Sequence, residues 1–330
     1  MTTTTTTQAN TTNNVHIAMD MLEHAEPHIV ATRFAKQVTM PKNKRERVDF
    51  RRPVTFSAAD TPLVEGVTPS ATRFSYETEN ATLQQFGEVI IVTDLADDTA
   101  EHPVVKDASM ISGENLGRTI EALNNSVIKA GSAVAYANGS ARTDVNTAIS
   151  LNLIRGAVRT LRANKAKPVS KVVQPGPAYN SFAIAPSYIG ICHTDVAADI
   201  RNLPGFVPAE EYASRKLVHD YELGKVEDVR FVCSADFDAW ADGGGAKGAM
   251  KSTSGTSADV YPVVIFGQEA FASVSLAGYG SVEPTVIPSG QKTKDDPLGQ
   301  RGYIGWKTYW AGTILNDAWL LRCEVAVTAL

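Results

Sequence analysis

The clearest periodic pattern of apolar residues follows Pro103. Apolar side chains recur there at spacings of four and three, which places them on one face of an α-helix. They are Leu116, Ile120, Leu123, Val127, Ala130 and Val134. Because Asn138-Gly139 is a turn signal, we predict one long helix over residues 104 to 137. Gly113 and Gly117 each weaken such a helix by about 1 kcal/mol relative to alanine, so they predict close packing of another backbone against it.

A second helical pattern begins at Leu151. Ser150 can cap this helix, and the pattern continues to Asn164. The apolar residues predicted to face inward are Ile154, Ala157, Val158 and Leu161. The residues predicted to form a basic face on the other side are Arg155, Arg159 and Arg162. Such a face is either solvated or turned toward nucleic acid or an acidic neighbour.

The rest of the chain alternates strand-like runs with short helices, which predicts an α+β fold. A short helix over the string DVAADIRNL follows Thr194, which can cap it. Residues 241 to 259 contain five glycines and few apolar side chains, and they predict a mobile surface loop. The strings IGWKTYWAGTIL and WLLRCEVAV predict two final strands that pair through a turn at Asn316-Asp317.

Charge changes sign sharply in the first third of the chain. Residues 33 to 52 hold eight basic and two acidic side chains, whereas residues 57 to 101 hold nine acidic and one basic. The basic positions predicted to make contacts are Lys42, Lys44, Arg45, Arg47, Arg51 and Arg52. Either both segments are solvated, or a basic arm of one subunit lies on the acidic loop of its neighbour. The acidic stretch contains TRFSYETENATLQQF and FGEVIIVTD, which predict a long hairpin with too few apolar residues for its own core.

Bulk composition narrows the class of protein. At 330 residues the chain is long enough for about two domains. Its formal net charge of −5 argues against a protein that coats nucleic acid over most of its surface. The Thr- and Asn-rich opening is expected to be disordered, and residues 15 to 25 predict a short amphipathic helix. No signal peptide or membrane span is predicted, so we expect a cytoplasmic origin and no membrane contact.

The residues reveal no recognisable chemistry, so we expect a protein that is not an enzyme and binds no cofactor or metal. The stretch GGGAKGAMKST does not match the phosphate-binding loop, and the six histidines are scattered. Cys192, Cys233 and Cys323 form no CxxC pair, which predicts buried free thiols. Cys192 cannot form a catalytic group with His193 and Asp195 if neighbouring residues on a strand point to opposite faces.

Several long strings along the chain resemble a known family. They are HAEPHIV, PKNK, TPLVEGVTP, YANG, DIRNLPGFVPAEEYA, VEDVRFV, DVYPVVIFGQEAF and DPLGQRGYIGWKTYWAGTILNDAW. Their order, from about Val15 to Leu330, resembles that of the major capsid proteins of tailed bacteriophages with the Hong Kong 97-type fold, in particular the podovirus-like branch. The resemblance covers nearly the whole chain.

This resemblance implies an N-terminal arm at residues 1–52 and an extended hairpin loop at 53–95. A peripheral domain with a long spine helix would take residues 96–149 and 296–330, and an axial domain residues 150–295. Hexamers and pentamers of the chain would form an icosahedral shell around double-stranded DNA, with arm and hairpin crossing subunit boundaries. The implied partners are a portal protein and scaffold or decoration proteins, and the implied location is the virion, after assembly in the bacterial cytoplasm. The alternative is the shell of a cellular nanocompartment with the same fold.

Overall fold

The computed structural model describes residues 21–330 except 22, 26–27, 44, 64, 100, 102, 175–179, 213–216, 278–281, 293 and 295. At positions 172–174, 180–183 and 282–283 only the backbone is described. The expectations for the first twenty residues, and the predicted contact of Lys44, lie outside the described residues.

The described residues form fifteen strands, four α-helices and several single 3-10 turns. The helices are α1 (Asp94–Thr99), α2 (Val104–Lys129), α3 (Leu151–Ala163) and α4 (Ala197–Arg201). The strands are β1 (Lys36–Met40), β2 (Arg47–Pro53), β3 (Tyr76–Thr82), β4 (Gln84–Thr93), β5 (Val134–Tyr136), β6 (Val169–Gln174), β7 (Asn180–His193), β8 (Val207–Pro208), β9 (Glu222–Val226), β10 (Val229–Ser234), β11 (Tyr261–Phe266), β12 (Phe271–Leu276), β13 (Val282–Ile287), β14 (Arg301–Ile314) and β15 (Leu320–Val325).

An eight-stranded sheet forms the larger part of the fold. Its order is β5-β15-β11-β7-β10-β9-β8, and β6 pairs with β7. All six residues of β11 are buried, because both faces of the sheet are covered. On one face, α3 packs Ile154 and Leu161 against Phe231 and Val263. On the other face, Ile128 from the end of α2 joins a cluster with residues of β7, β10 and β11.

A five-stranded sheet packs against the long helix α2, which we call the spine helix. β1 pairs with β12. β12 and β13 pair with successive parts of one edge of β14, and β4 pairs along the opposite edge. Trp306 of β14 is buried against Leu116 of the spine helix, with Phe86 of β4 beside them. Nearer the start of the spine helix, Val92 and Ile304 bury Ala108. Leu116, the first apolar residue of the predicted helix face, therefore packs against the five-stranded sheet.

A separate two-stranded hairpin is formed by β2 and β3, which pair antiparallel from Arg47↔Thr82 to Pro53↔Tyr76. The prediction that the two strand-like stretches of the acidic segment pair with each other is therefore wrong. β3 pairs with the basic strand β2, and β4 pairs with β14 over ten residue positions. The boundary expected at residue 52 falls inside β2, so the basic segment supplies one strand of the hairpin.

The spine helix begins where it was predicted and ends earlier. It spans Val104–Lys129, so Ala130 and Val134 do not extend its face. The backbone N–H of Ser132 donates to Asp317, and Val134–Tyr136 then forms β5 beside β15. A long-range strand pairing has thus overridden a local helical pattern. By contrast, α3 is capped by Ser150, whose side chain accepts from the Leu153 N–H, and all four residues predicted to face inward are buried.

The sheets correct one further prediction, and the division into peripheral and axial domains stays a prediction. The final strands do not pair with each other, because β14 lies in the five-stranded sheet and β15 in the eight-stranded sheet. β12 and β13, expected in the axial domain, pair with β14, so the expected boundary at 295/296 does not separate the two sheets. A chain that crosses between sheets in this way gives no local signal of the crossing.

The glycine-rich stretch 241–259 is a loop that holds several internal hydrogen bonds, and its mobility stays a prediction. The Asp259 carboxylate accepts from the backbone N–H groups of Asp242 and Thr253 at 2.8 and 3.1 Å. Asp242 in turn accepts from the Ser254 N–H at 3.0 Å, which lowers the pKa of the Asp242 carboxyl. Gly244 lies so close to its neighbours that a Cβ there would sit 2.2 Å from the Val145 carbonyl oxygen. Gly244 therefore serves close packing, whereas Gly248 and Gly255 have open space around them and adopt positive φ angles. The short helix near residue 197 also differs, since its preceding 3-10 turn is capped by His193 and not by Thr194.

Candidate assembly surfaces

The N-terminal segment, which we define as the described residues from Met21 to Phe34, lies along the spine helix. A Cβ at Gly113 would sit 2.2 Å from the Met21 carbonyl oxygen, and one at Gly117 would sit 2.5 Å from that of Ala25. Both glycines are buried. The prediction that they allow close backbone packing is confirmed, because no larger residue fits at either position.

One buried carboxylate holds the 3-10 turn Ala31–Phe34 to the spine helix. Glu121 is fully buried and accepts from the backbone N–H groups of Val30, Ala31 and Thr32 at 3.2, 2.6 and 3.4 Å, and from the Thr32 hydroxyl at 3.3 Å. The N–H groups at the start of a helical turn have no partner within the turn, and here they donate to the carboxylate. Burial nevertheless dominates and raises the pKa of Glu121. The spine helix thus has a second, polar face that hydrophobic periodicity does not reveal.

A buried ionic cluster joins the end of the spine helix to the eight-stranded sheet. Glu324 of β15 is fully buried and accepts from the Arg142 guanidinium through two hydrogen bonds of 2.7 and 2.8 Å. Arg322 lies 3.0 Å from the same carboxylate and donates to the Lys129 carbonyl oxygen, the last of the spine helix. The Trp240 ring lies under Arg142, with its centroid 3.6 Å from the guanidinium carbon. The hydrogen bonds to Glu324 raise the pKa of Arg142, so the Arg142 guanidinium stays charged.

The hairpin and its tip are the most exposed part of the described chain. The hairpin base is anchored where Ala81 is buried with Met40, Val274 and Ala311. Beyond it, large apolar side chains of the tip, residues 54–75, face solvent. They include Phe56 at 60%, Leu63 at 78%, Val67 at 62% and Phe74 at 66% exposure. An apolar group of this kind on a projecting element marks an interaction site.

The basic residues predicted to contact a neighbour lie on or beside this hairpin. Arg47, Arg51 and Arg52 are exposed on β2, and Lys42 and Arg45 precede it. Arg52 forms an ion pair with Glu77 on the opposite strand of the same chain. Arg47 pairs with Asp49 at 2.7 Å. Some of the basic and acidic side chains of these two segments therefore pair with each other within the hairpin. Their contact with a second subunit stays a prediction.

Two of the three arginines on the basic face of α3 form ion pairs with carboxylates of the same chain. Arg155 donates two hydrogen bonds of 2.7 and 2.9 Å to Glu227, and Arg162 forms an ion pair with Asp228. Both carboxylates lie in the turn between β9 and β10. This pairing favours a structural role for the two arginines, which tie α3 to the sheet edge. Arg159 is exposed between them.

Two groupings of reactive side chains were missed by sequence reasoning. Asp195 accepts from Lys251 Nζ at 2.5 Å and from the Tyr261 hydroxyl at 2.8 Å, with His193 at 3.4 Å. These residues come from three separate parts of the chain, so no spacing connects them. Cys192 and Cys233 also meet, on neighbouring strands. Among the described residues no group of three or more His, Cys, Asp or Glu side chains could hold a metal ion. Within the same residues no helix is long and apolar enough to cross a membrane.

The fold is shared with capsid structures of several bacteriophages. The capsid of Ralstonia phage GP4 matches with a TM-score of 0.66 at 10% identity, over 90% of each chain. The capsid of cyanophage Pam1 matches with a TM-score of 0.59 at 14% identity, over 93% of each chain. The head structure of Helicobacter pylori bacteriophage KHP40 matches with a TM-score of 0.58 at 12% identity, over 90% of this chain and 88% of that one. The chain thus has the fold of these capsid structures.

The family assignment rests on the sequence itself. A family model described as phage capsid protein matches residues 76–319, which is well over half of the chain. No curated protein matches the chain in sequence. The chain belongs to the phage capsid protein family and is a major capsid protein of a bacteriophage head shell. The nanocompartment alternative is not favoured by this match.

Proposed function

We propose that this chain assembles with copies of itself, as hexamers and pentamers, into an icosahedral shell that encloses double-stranded DNA. The observation that carries the proposal is the projecting hairpin, whose tip exposes several large apolar residues that nothing among the described residues covers. A neighbouring subunit would bury them. Repeated many times, such a contact can be weak in each copy and still hold a closed shell.

The family match supports a structural and not a catalytic role, with the virion as the place of action. The Lys251–Asp195–Tyr261 group supports this role too, because its ion pair and hydrogen bond already occupy the charged atoms. We include in the proposal assembly in the bacterial cytoplasm, a portal protein at one vertex, and scaffold or decoration proteins. Arg159 is the residue of the α3 face that we assign to DNA phosphates or to an acidic neighbour, since its two flanking arginines pair within the chain.

The tip of the hairpin provides the first test. We expect the triple substitution Phe56→Ser, Leu63→Ser and Phe74→Ser to abolish closed shells, because it removes the apolar surface that a neighbour would cover. Shells are detected by light scattering and negative-stain electron microscopy as salt and protein concentration are raised. Tyr221→Ser is the matched control, since Tyr221 is also exposed but lies beside β9, away from the hairpin. Normal shells from the triple variant would overturn the proposed contact, and a wild-type chain that never exceeds a small species, with or without a co-expressed scaffold protein, would overturn shell formation itself.

A charge swap separates contacts within the hairpin from contacts between subunits. Arg52→Glu breaks the pair with Glu77, and adding Glu77→Arg restores an ion pair of opposite orientation in the same chain. An exposed pair of this kind contributes about 0–1 kcal/mol, so both variants should fold. We expect the double variant to remain defective in assembly, because the neighbour still meets reversed charges. Full recovery of shells in the double variant would mean that these charges act only within the hairpin.

A further inference from the structure

Two cysteines that are distant in sequence face each other on neighbouring strands. β7 and β10 run parallel, and Cys192 is the register partner of Cys233. Register partners on adjacent strands project from the same face of a sheet. Their sulfur atoms lie 3.5 Å apart, within hydrogen-bonding distance. The pair is a dithiol built into the centre of the eight-stranded sheet.

The three cysteines of the chain differ in environment. Cys192 is fully buried, and its hydrogen bond to Cys233 together with burial raises the pKa of its thiol. Cys233 is only partly buried, and the hydrogen bond with Cys192 lowers its pKa, with a smaller contribution from Arg201. Cys323 is buried without such a partner, and desolvation raises its pKa to about 12. Cys233 is thus the thiol that both meets solvent and forms the thiolate most readily, and Cys323 is inert.

We propose that Cys192 and Cys233 form a redox-active pair that a small-molecule disulfide, such as oxidised glutathione, converts to an intramolecular disulfide bond. The Cys233 thiolate attacks one sulfur of the reagent, its S–S bond breaks, and one glutathione thiolate leaves. Cys192 then loses its proton and attacks the Cys233 sulfur, which releases the second glutathione thiolate. Two protein thiols are oxidised, one reagent disulfide is reduced to two thiols, and the two protons end on the released glutathione.

The sheet geometry accommodates the product. Neighbouring strands lie about 4.8 Å apart, which is inside the usual Cα–Cα range of about 4.4–6.8 Å for a disulfide. The two sulfur atoms have to close from 3.5 Å to a bond of about 2 Å. The bond would join positions that are 41 residues apart in sequence, and so restrict the unfolded chain. The chain would be a dithiol in a reducing compartment and a disulfide in an oxidising one.

The test treats the purified full chain with an excess of oxidised glutathione, alkylates the remaining thiols, and measures masses of the intact chain and its peptides. We expect the chain to lose about 2 Da, a cross-linked peptide that contains Cys192 and Cys233, and alkylation of Cys323 only after denaturation. The thermal unfolding midpoint of the oxidised chain should be higher than that of the reduced chain. Three free thiols after treatment, or a lasting glutathione adduct on the wild-type chain, would overturn the proposal.

Single substitutions identify the role of each thiol. Cys233→Ala should abolish the reaction with the folded chain, and Cys192→Ala, which keeps the buried site apolar, should retain one glutathione on Cys233 because no second thiol displaces it. Cys323→Ala is the matched control and should lose about 2 Da as the wild type does. Formation of the same mass loss in Cys192→Ala would show that a different pair reacts. The readout uses no assembly, so failure of shell formation and failure of this inference are distinguishable.

Discussion

The eight-stranded sheet and the hairpin contain similar apolar residues in opposite surroundings. Every residue of β11 is buried between two covered faces, whereas Phe56, Leu63 and Phe74 at the hairpin tip are exposed. The sheet gains its stabilisation from contacts within one chain. The hairpin tip makes no comparable contacts among the described residues, so its apolar surface is available to a second molecule. If the hairpin makes the proposed contact, stability of the subunit and assembly of the shell depend on different parts of the sequence.

The difference between the two regions is tested most directly by making the same Phe→Ala substitution in each. Phe231→Ala empties a fully buried site beneath α3 and should cost about 3–5 kcal/mol of unfolding free energy. Phe56→Ala should change it by no more than about 0.5 kcal/mol, because that side chain is exposed in the subunit. Urea unfolding of unassembled chains measures both values.

For shell assembly we expect a substitution at the hairpin tip to have a large effect, although its effect on subunit stability is small. Phe56→Ala is expected to raise the protein concentration at which shells form, although it leaves the subunit as stable as the wild type. A loss of subunit stability in Phe56→Ala comparable to that in Phe231→Ala would mean that the tip is packed within its own chain. The division between the two regions would then fail.

Elements defined by local pattern were predictable from the sequence. α3 has its cap at Ser150 and its four inward residues as expected, since all of that information lies within one helix. The start of the spine helix and the close packing at Gly113 and Gly117 were also predictable, because two glycines on one helix face cost stability that a close contact can offset. Gly156 shows that a single helix glycine does not by itself mark such a contact. The family, and with it the function, followed from long strings that no short motif could replace.

The second comparison concerns two glycines in two helices. Gly117→Ala on the spine helix should destabilise the subunit by about 1–3 kcal/mol, because the new Cβ would sit 2.5 Å from the Ala25 carbonyl oxygen and displace the N-terminal segment. Gly156→Ala on α3 is the matched control. No atom lies within 4 Å of a Cβ there, so it should stabilise the subunit by about 0.5–1 kcal/mol.

Urea midpoints of the two variants give the sign of each effect. Limited proteolysis adds a second measurement, since cleavage near the N-terminal segment should become faster in Gly117→Ala and stay unchanged in Gly156→Ala. If both variants are stabilised equally, the N-terminal segment does not pack on the spine helix as described.

Features that depend on distant partners were not predictable. Val134 continues the helical spacing, yet it lies in β5 because β15 offers a strand edge there. β14 and β15 are adjacent in sequence and belong to different sheets. Glu121 reads as a solvent-facing residue of a helix, but the amides of the N-terminal segment surround it. Cys192 and Cys233 meet only because their strands are neighbours. In each case the deciding contact is long-range, and single-sequence periodicity carries no record of it.

The smallest expected effect concerns the pH dependence of the contact between the N-terminal segment and the spine helix. Burial raises the pKa of Glu121 above its ordinary value of 4.5, so the folded chain binds a proton there more tightly than the unfolded chain. The resulting stabilisation is fully present below the ordinary value and is lost as pH rises through the raised pKa of the folded state. Glu121→Gln removes this titration and keeps one oxygen as an acceptor for the amides.

The unfolding midpoints of the wild type and Glu121→Gln should therefore be compared between about pH 7.5 and pH 5. We expect the wild type to gain stability relative to the variant as pH falls across this range. Other carboxyl groups titrate in both proteins, so the difference between the two midpoints isolates Glu121. A difference that moves the other way would mean that the four hydrogen bonds from Val30, Ala31 and Thr32 outweigh burial and favour the carboxylate. The N-terminal segment would then be held by a charge, and acid would loosen it where we expect acid to tighten it.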